Sequence, residues 1–266
     1  MTALKFPVPA NWIGDRPMRI VVIGAGGTGS DMLVRLAKLH TQLVALGGNG
    51  LSVKVLDSDT VSLSNCGRQH FPPCSVGLNK SLVLVNSINL AYGLAWTGVP
   101  DDFDPALEDD IRLLRHHTDL VISCVDSAAF RADLCRAFRD IPTDTMLLDG
   151  GNGRDLGQVV LGHLGRCSAS LRLPNVYDLW PELDALSSQD DDTPSCSAHE
   201  AMQKQSWPVN QTVALLMAEM LWTLLRQGWI DYHGATFTLA PLRTTPMMID
   251  PAAWAFMGYE PEREAA

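Results

Sequence analysis

Glycines at positions 24, 26 and 29 stand in the run Gly24-Ala25-Gly26-Gly27-Thr28-Gly29-Ser30, between an apolar stretch and a helical pattern. In a strand–turn–helix unit this spacing has a physical logic. The first glycine permits a tight turn, the second lets a phosphate approach the backbone, and the third lets the helix pack on the strand. The helix N-terminus then offers free N–H groups and a positive dipole end to an anion. Asp57 closes the next apolar run; an acid there accepts hydrogen bonds from ribose hydroxyls, or holds a strand-end turn. Asn65, Arg68 and Gln69 follow in one loop, and Lys80 begins the next helical pattern. A guanidinium forks onto phosphate oxygens and an ammonium acts as a movable point charge. Together they fit a ligand more highly charged than a dinucleotide bridge. Asp126 ends a strand pattern at Ser123-Cys124-Val125-Asp126-Ser127, where a carboxylate can hold Mg²⁺ directly or through water. Cys196 follows an acidic, proline-bearing stretch, with His199 three residues on. A thiolate there could take an acyl group, its pKa lowered by His199 or a helix N-terminus; the alternative is a small packing residue.

These residues need a scaffold that brings strand ends together. Residues 18–23 and 51–56 read as buried strands, with Met32, Leu36, Leu39, Leu43 and Leu46 at helical spacing between them. The unit 18–57 is therefore a right-handed βαβ crossover. Helices are expected at 79–92, 128–139 and 209–226, the last stopped by Gly228, and strands at 119–125, 145–149 and 157–163. Residues 101–110 read as an acidic loop, and Gly150-Gly151-Asn152-Gly153 as a glycine-dense turn. The alternation predicts an α/β, Rossmann-like, doubly wound and mostly parallel sheet with helices on both faces. A C-terminal crossover loop (about 175–196) and a helix complete it. The expected division is an extended arm over 1–17, one domain over 18–257, and a polar tail over 258–266.

Taken in order, GAGGTGS, LDSDTVSLSN, Arg68-Gln69, Lys80 at a helix start, and Val125-Asp126-Ser127 resemble the ThiF/MoeB family of ubiquitin-activating-type enzymes. The resemblance is strong over 18–165 and weak over 194–227. Residues 194–214 and the chain length also resemble the ThiF-family branch found in PRTRC plasmid-type gene systems. The resemblance implies ATP-dependent adenylation of the C-terminal carboxylate of a ubiquitin-like protein with a flexible tail. ATP would lie against Gly24, Gly26, Gly27 and Gly29, with Asp57 on the ribose. Asn65, Arg68, Gln69 and Lys80 would hold the triphosphate and Asp126 the Mg²⁺ ion. Arg68, Lys80 and Asp126 would then be catalytic, with Cys196 as a thioester acceptor and a conjugating-enzyme-like protein as the next acceptor. A homodimer is expected, in which a partner's arginine reaches ATP; Arg16 is the nearby candidate. Many family members bind zinc through two CxxC pairs. This chain has no CxxC pair, so no zinc is expected. The rival readings are a non-catalytic nucleotide-binding scaffold of the same fold and an NAD(P)-dependent oxidoreductase, which would leave Arg68, Lys80 and Asp126 without a role.

Composition narrows the field. A formal net charge of −10 disfavours nucleic-acid binding, which needs a basic stripe to displace counterions. Six cysteines without secretory or CxxC patterning read as free thiols in a reducing, cytoplasmic compartment. No apolar run approaches the roughly 18 residues of a membrane span.

Overall fold

The computed structural model describes residues 4–183 and 207–260. The β-branched run at the start of the crossover forms β2 (Met18–Ile23), which the glycine turn delivers into α1 (Gly27–Ala45) and then β3 (Leu51–Leu56). Val22, Met32, Leu33, Leu36 and Val55 lose all contact with solvent where these elements meet. The chain continues through α2 (Lys80–Tyr92), β4 (Thr97–Val99), α3 (Glu108–His117), β5 (Leu120–Ser123), α4 (Ala128–Phe138) and β6 (Met146–Asn152). β4, β3, β2, β5 and β6 lie side by side in parallel. Parallel neighbours need long crossovers, and the helices supply most of them.

β7 (Leu156–His163) leaves the parallel pattern. A tight turn, in which Gly153 N–H donates to the Leu156 carbonyl at 2.9 Å, reverses the chain so that β7 runs antiparallel to β6. β9 (Tyr232–Leu239) and β10 (Leu242–Met248) extend that side, again antiparallel. The full order is β10-β9-β7-β6-β5-β2-β3-β4. The strand expected at 157–163 therefore opens an antiparallel wing rather than joining the parallel core. Gly150, Gly151 and Asn152 are not a turn but the end of β6. Gly150 is small because α6 (Trp207–Gln227) lies on it: a Cβ would come 2.7 Å from Val213 Cγ1 and 2.9 Å from Met217 Sδ.

Other expectations are corrected by packing. The acidic stretch 101–110 runs into α3, whose first turn holds Glu108, Asp109 and Asp110 and whose last holds Arg115, His116 and His117. That order complements the helix dipole. The supposed arm is docked: Phe6 and Trp12 are buried, and β1 (Phe6–Pro7) pairs with β8 (Trp229–Ile230). Arg16 and Arg19 both grip Asp119, a fully buried carboxylate at the start of β5, with contacts of 2.6 and 2.8 Å from Arg16 and 3.0 Å from Arg19 Nη2. These two arginines hold Asp119 below the usual carboxylate range against the opposing effect of burial. The first residues of the expected crossover loop are packed: α5 (Val176–Leu179) carries an Asn175–Asp178 capping box, and Leu179 and Leu183 are buried. No helix among the described residues is long and apolar enough to cross a membrane.

The antiparallel wing buries two neutral imidazoles. The indole N–H of Trp254, in α7 (Pro251–Phe256), donates to His233 Nε2 at 2.9 Å, so His233 Nδ1 carries the proton that faces the Leu161 carbonyl. Leu173 N–H likewise donates to His163 Nδ1 at 3.0 Å. Burial holds both histidines down at about 4. Protonation favours the unfolded chain, whose histidines titrate near 6.5. The associated stability is thus complete above pH 6.5 and falls as pH drops through that value toward 4. Each histidine accounts for on the order of 3 kcal/mol at the acid end. Urea unfolding followed by tryptophan fluorescence should show the midpoint falling steadily between pH 6.5 and 4; a flat midpoint over that range would refute the burial of both imidazoles in neutral form.

Candidate active site

Register places the site. Ile23 pairs with Leu56 on one side and with Ser123 on the other, so the residues that follow, Gly24, Asp57 and Cys124, emerge side by side. The chain moves outward from β2 through β3 to β4, then returns to β5 on the other flank of β2. This is a topological switch point, and the crevice beyond the strand ends there is where α/β sheets take ligands.

The glycines have distinct duties. Gly24 adopts φ +90°, and its N–H donates to the Leu56 carbonyl at 3.0 Å. Gly29 is the tightest: a Cβ would stand 2.0 Å from the Gly24 carbonyl oxygen. Gly26 is open, with no atom within 4 Å of an added Cβ, and precedes a helix whose first turn has neither a side-chain cap nor an acidic residue. Gly27 faces Asn210.

Asp57 is the joint of the site. One carboxylate oxygen accepts the Ala25 N–H at 2.6 Å and the other the Asp59 N–H at 2.9 Å. Burial pushes its pKa up, opposed chiefly by the Ala25 N–H and next by Lys80. Asn79 caps α2 by accepting from Leu82 N–H, and its amide donates to the Asp57 and Asp59 carbonyls at 2.8 and 3.1 Å. This cap was not singled out from the sequence, although an asparagine before a helical pattern is a recognisable start signal. It puts Lys80 at the first helical position, buried, with Nζ 2.6 Å from the more exposed Asp59 carboxylate.

Asn65 holds the loop that carries the other polar residues. Its side-chain oxygen accepts the Ser62 N–H at 2.8 Å, and its carbonyl accepts the N–H groups of Arg68 and Gln69. Arg68 and Gln69, with Cys66, Gly67, His70 and Gln211 of α6, line a cavity of about 290 Å³. The loop is pinned to α1, where His70 Nε2 lies 3.1 Å from Asp31 Oδ1 and His70 N–H donates to Ser30 Oγ. Burial lowers the Arg68 pKa, and the attraction of Asp126 opposes it. Arg68 and Asp126 are thus within electrostatic reach of one another, while Asp57 and Lys80 form a separate group around Asp59. Asp126 is exposed, three residues beyond the end of β5.

Arg131 and Asp149 escaped the sequence reading. Asp149, fully buried in β6, faces Arg131 Nε of α4 at 3.4 Å. Arg131 Nη2 also donates to the Val125 and Gly150 carbonyls at 2.6 and 3.1 Å, tying the segment before Asp126 to β6. Burial raises the Asp149 pKa against the pull of Arg131. Burial, reinforced by Asp149, pushes Cys124 up to about 12 and raises Cys135 too. Cys196 and His199 lie outside the described residues. Arg16 is bound to Asp119 at the opposite ends of the strands from the crevice. Among the described residues no group of three or more His, Cys, Asp or Glu side chains converges as a metal site.

The ThiF family model matches residues 16–252. The chain belongs to the ThiF family. No curated protein sequence matches. Among solved structures, PaaA superposes with a TM-score of 0.61 at 14% identity, covering 87% of this chain and 64% of that one. MccB of E. coli with ATP gives 0.55 at 15%, covering 94% and 66%. The microcin C7 biosynthetic enzyme MccB in complex with N-formylated MccA gives 0.57 at 15%, covering 87% and 64%. At this identity the likeness is one of fold, and this ThiF-family chain spans about two thirds of those proteins' length.

The contrast between two glycines is testable. Gly29→Ala should destabilise the protein by about 1–3 kcal/mol or more, because backbone must move. Gly26→Ala should change stability by no more than about 0.5 kcal/mol. Chemical denaturation of both variants checks this, and equal loss in the two would refute the packing account.

Proposed function

We propose that this chain activates the C-terminal carboxylate of a protein or peptide by adenylation with ATP. The single observation that supports this best is the joining of the uncapped α1 N-terminus, Asp57 and Lys80 at the switch point, with Arg68 and Asp126 in the adjoining loops of a ThiF-family fold. The nucleotide's ribose would meet Asp57, which keeps acceptor capacity beyond its two backbone bonds. The triphosphate would lie against the glycine turn and Asn65, Arg68, Gln69 and Lys80. A substrate carboxylate oxygen attacks the α-phosphorus, the bond between that phosphorus and the bridging oxygen to the β-phosphorus breaks, and pyrophosphate leaves with the electron pair. The protein's part is to position the reactants and neutralise charge. Lys80 would exchange Asp59 for phosphate, and Arg68, whose positive charge Asp126 now balances, would stabilise the negative charge of the triphosphate.

Asp126 fits a Mg²⁺ ion held mainly by phosphate oxygens, because magnesium takes only one or two carboxylates in such sites; bound there it would neutralise phosphate charge. The solved MccB structures include complexes with ATP and with MccA. By analogy we assign this chain a substrate with a free C-terminal tail, and the sequence resemblance extends that to a ubiquitin-like protein. Thioester transfer to Cys196, a homodimer, and membership of the PRTRC branch rest on the same resemblance.

ATP–pyrophosphate exchange, dependent on an added ubiquitin-like protein ending in glycine, tests the reading. Arg68→Ala or Lys80→Ala should lower exchange by on the order of 100-fold, far more than it lowers stability read as the thermal midpoint without ATP. ATP binding with no exchange for any C-terminal tail would support a scaffold instead.

A further inference from the structure

Asn210 lies in the first turn of α6 and is only 2% exposed. Its side-chain oxygen is committed: it accepts from Asn152 Nδ2 at 2.8 Å and from Thr28 Oγ1 at 3.3 Å. Those bonds fix the orientation of the amide and leave Nδ2 with no hydrogen-bond partner. A buried donor left unmade is expensive, and native proteins keep few of them. Its position is informative. A Cβ built on Gly27 would come 2.3 Å from Nδ2 and 2.8 Å from Cγ. The amide therefore occupies the place of the first side chain of α1. This helix is 19 residues long, its first turn has no side-chain cap, and the neighbouring Gly26 is open.

We infer that Asn210 is an anion ligand contributed by the C-terminal half of the chain, with Nδ2 donating to a non-bridging phosphoryl oxygen held at the α1 N-terminus. The inference rests on the adenylation reading and deepens it. Phosphate recognition there uses a neutral side-chain donor from α6 as well as the backbone N–H groups of the glycine turn. Gly27 is glycine because the amide of Asn210 stands where its side chain would be. Thr28 and Asn152 position the amide from below, one from α1 and the other from the end of β6. The first turn of α6 thus forms one wall of the nucleotide site. Gln211, the next residue, already lines the cavity beside Arg68.

Asn210→Asp separates ligand binding from structure. The carboxylate can still accept from Asn152 and Thr28, and it stands at a helix N-terminus that favours negative charge. It lacks the donor and repels phosphate. Burying that charge costs stability that the helix dipole offsets only in part, so the thermal midpoint without ligand should fall modestly while the variant stays folded. Affinity for ATP and AMP, measured by calorimetry, should fall about ten- to a hundredfold, the range for one hydrogen bond to a charged group. Affinity for adenosine should stay within about twofold. Asn210→Leu, similar in volume and without a donor, should show the same selective loss and serves if the aspartate variant does not fold. Wild-type affinity for ATP in either folded variant would overturn the inference alone, as would equal losses for ATP and adenosine. Failure of the wild-type protein to bind ATP or AMP would overturn the adenylation reading and this inference with it.

Discussion

Two backbone N–H groups converge on the Asp57 carboxylate, and the geometry of the crevice depends on that convergence. One belongs to Ala25 in the turn after β2, the other to Asp59 in the loop after β3. With Asn79 bound to the Asp57 carbonyl, three segments that leave different elements meet at one residue. A buried carboxylate is tolerable only if such bonds and a nearby cation satisfy it. Lys80 supplies the nearby charge. The arrangement holds the turn against β3, so that α1 can descend close enough for Gly29 to meet the Gly24 carbonyl.

The parts of this architecture that are local in sequence were legible there. The crossover over 18–57, α2, α4 and α6 follow from hydrophobic period and stop signals, and the glycine spacing announced its own turn. The antiparallel wing was not. Its outer strand, β10, is mostly exposed and contains Pro246, which argues against a central strand but is harmless at a sheet edge. The end of β6 was misread because Gly150 and Gly151 look like turn residues; Gly150 is small to admit α6.

The site divides in the same way. Asp57, Lys80 and Arg68 could be singled out because charge in a loop after a strand is conspicuous. Asn210 could not, since an asparagine inside a helical pattern has no special meaning until the fold lays it on Gly27, far away in sequence. Arg131 and Asp149 were hidden for a similar reason: one sits in an ordinary amphipathic helix and the other ends an apolar strand. Asp119 shows the converse. Its partner Arg16 was singled out for another role, and only the fold shows that Arg16 and Arg19 secure the strand ends opposite the crevice.

Phe6 pairs with Ile230 and Pro7 with Trp229, so the two ends of the fold close on each other. Contacts between such distant residues can form only after most of the intervening chain is in place, and they carry a large loop-closure entropy. On the ribosome, where synthesis proceeds from the N-terminus, β1 must wait until residues 229–230 have emerged before it can pair. Until then the aromatic face of Phe6, buried in the finished protein, lacks the strand that pairs with it. The nascent chain thus carries an adhesive aromatic segment while the more than two hundred residues between β1 and β8 are made, and a chaperone that captures short aromatic segments would find its binding site there.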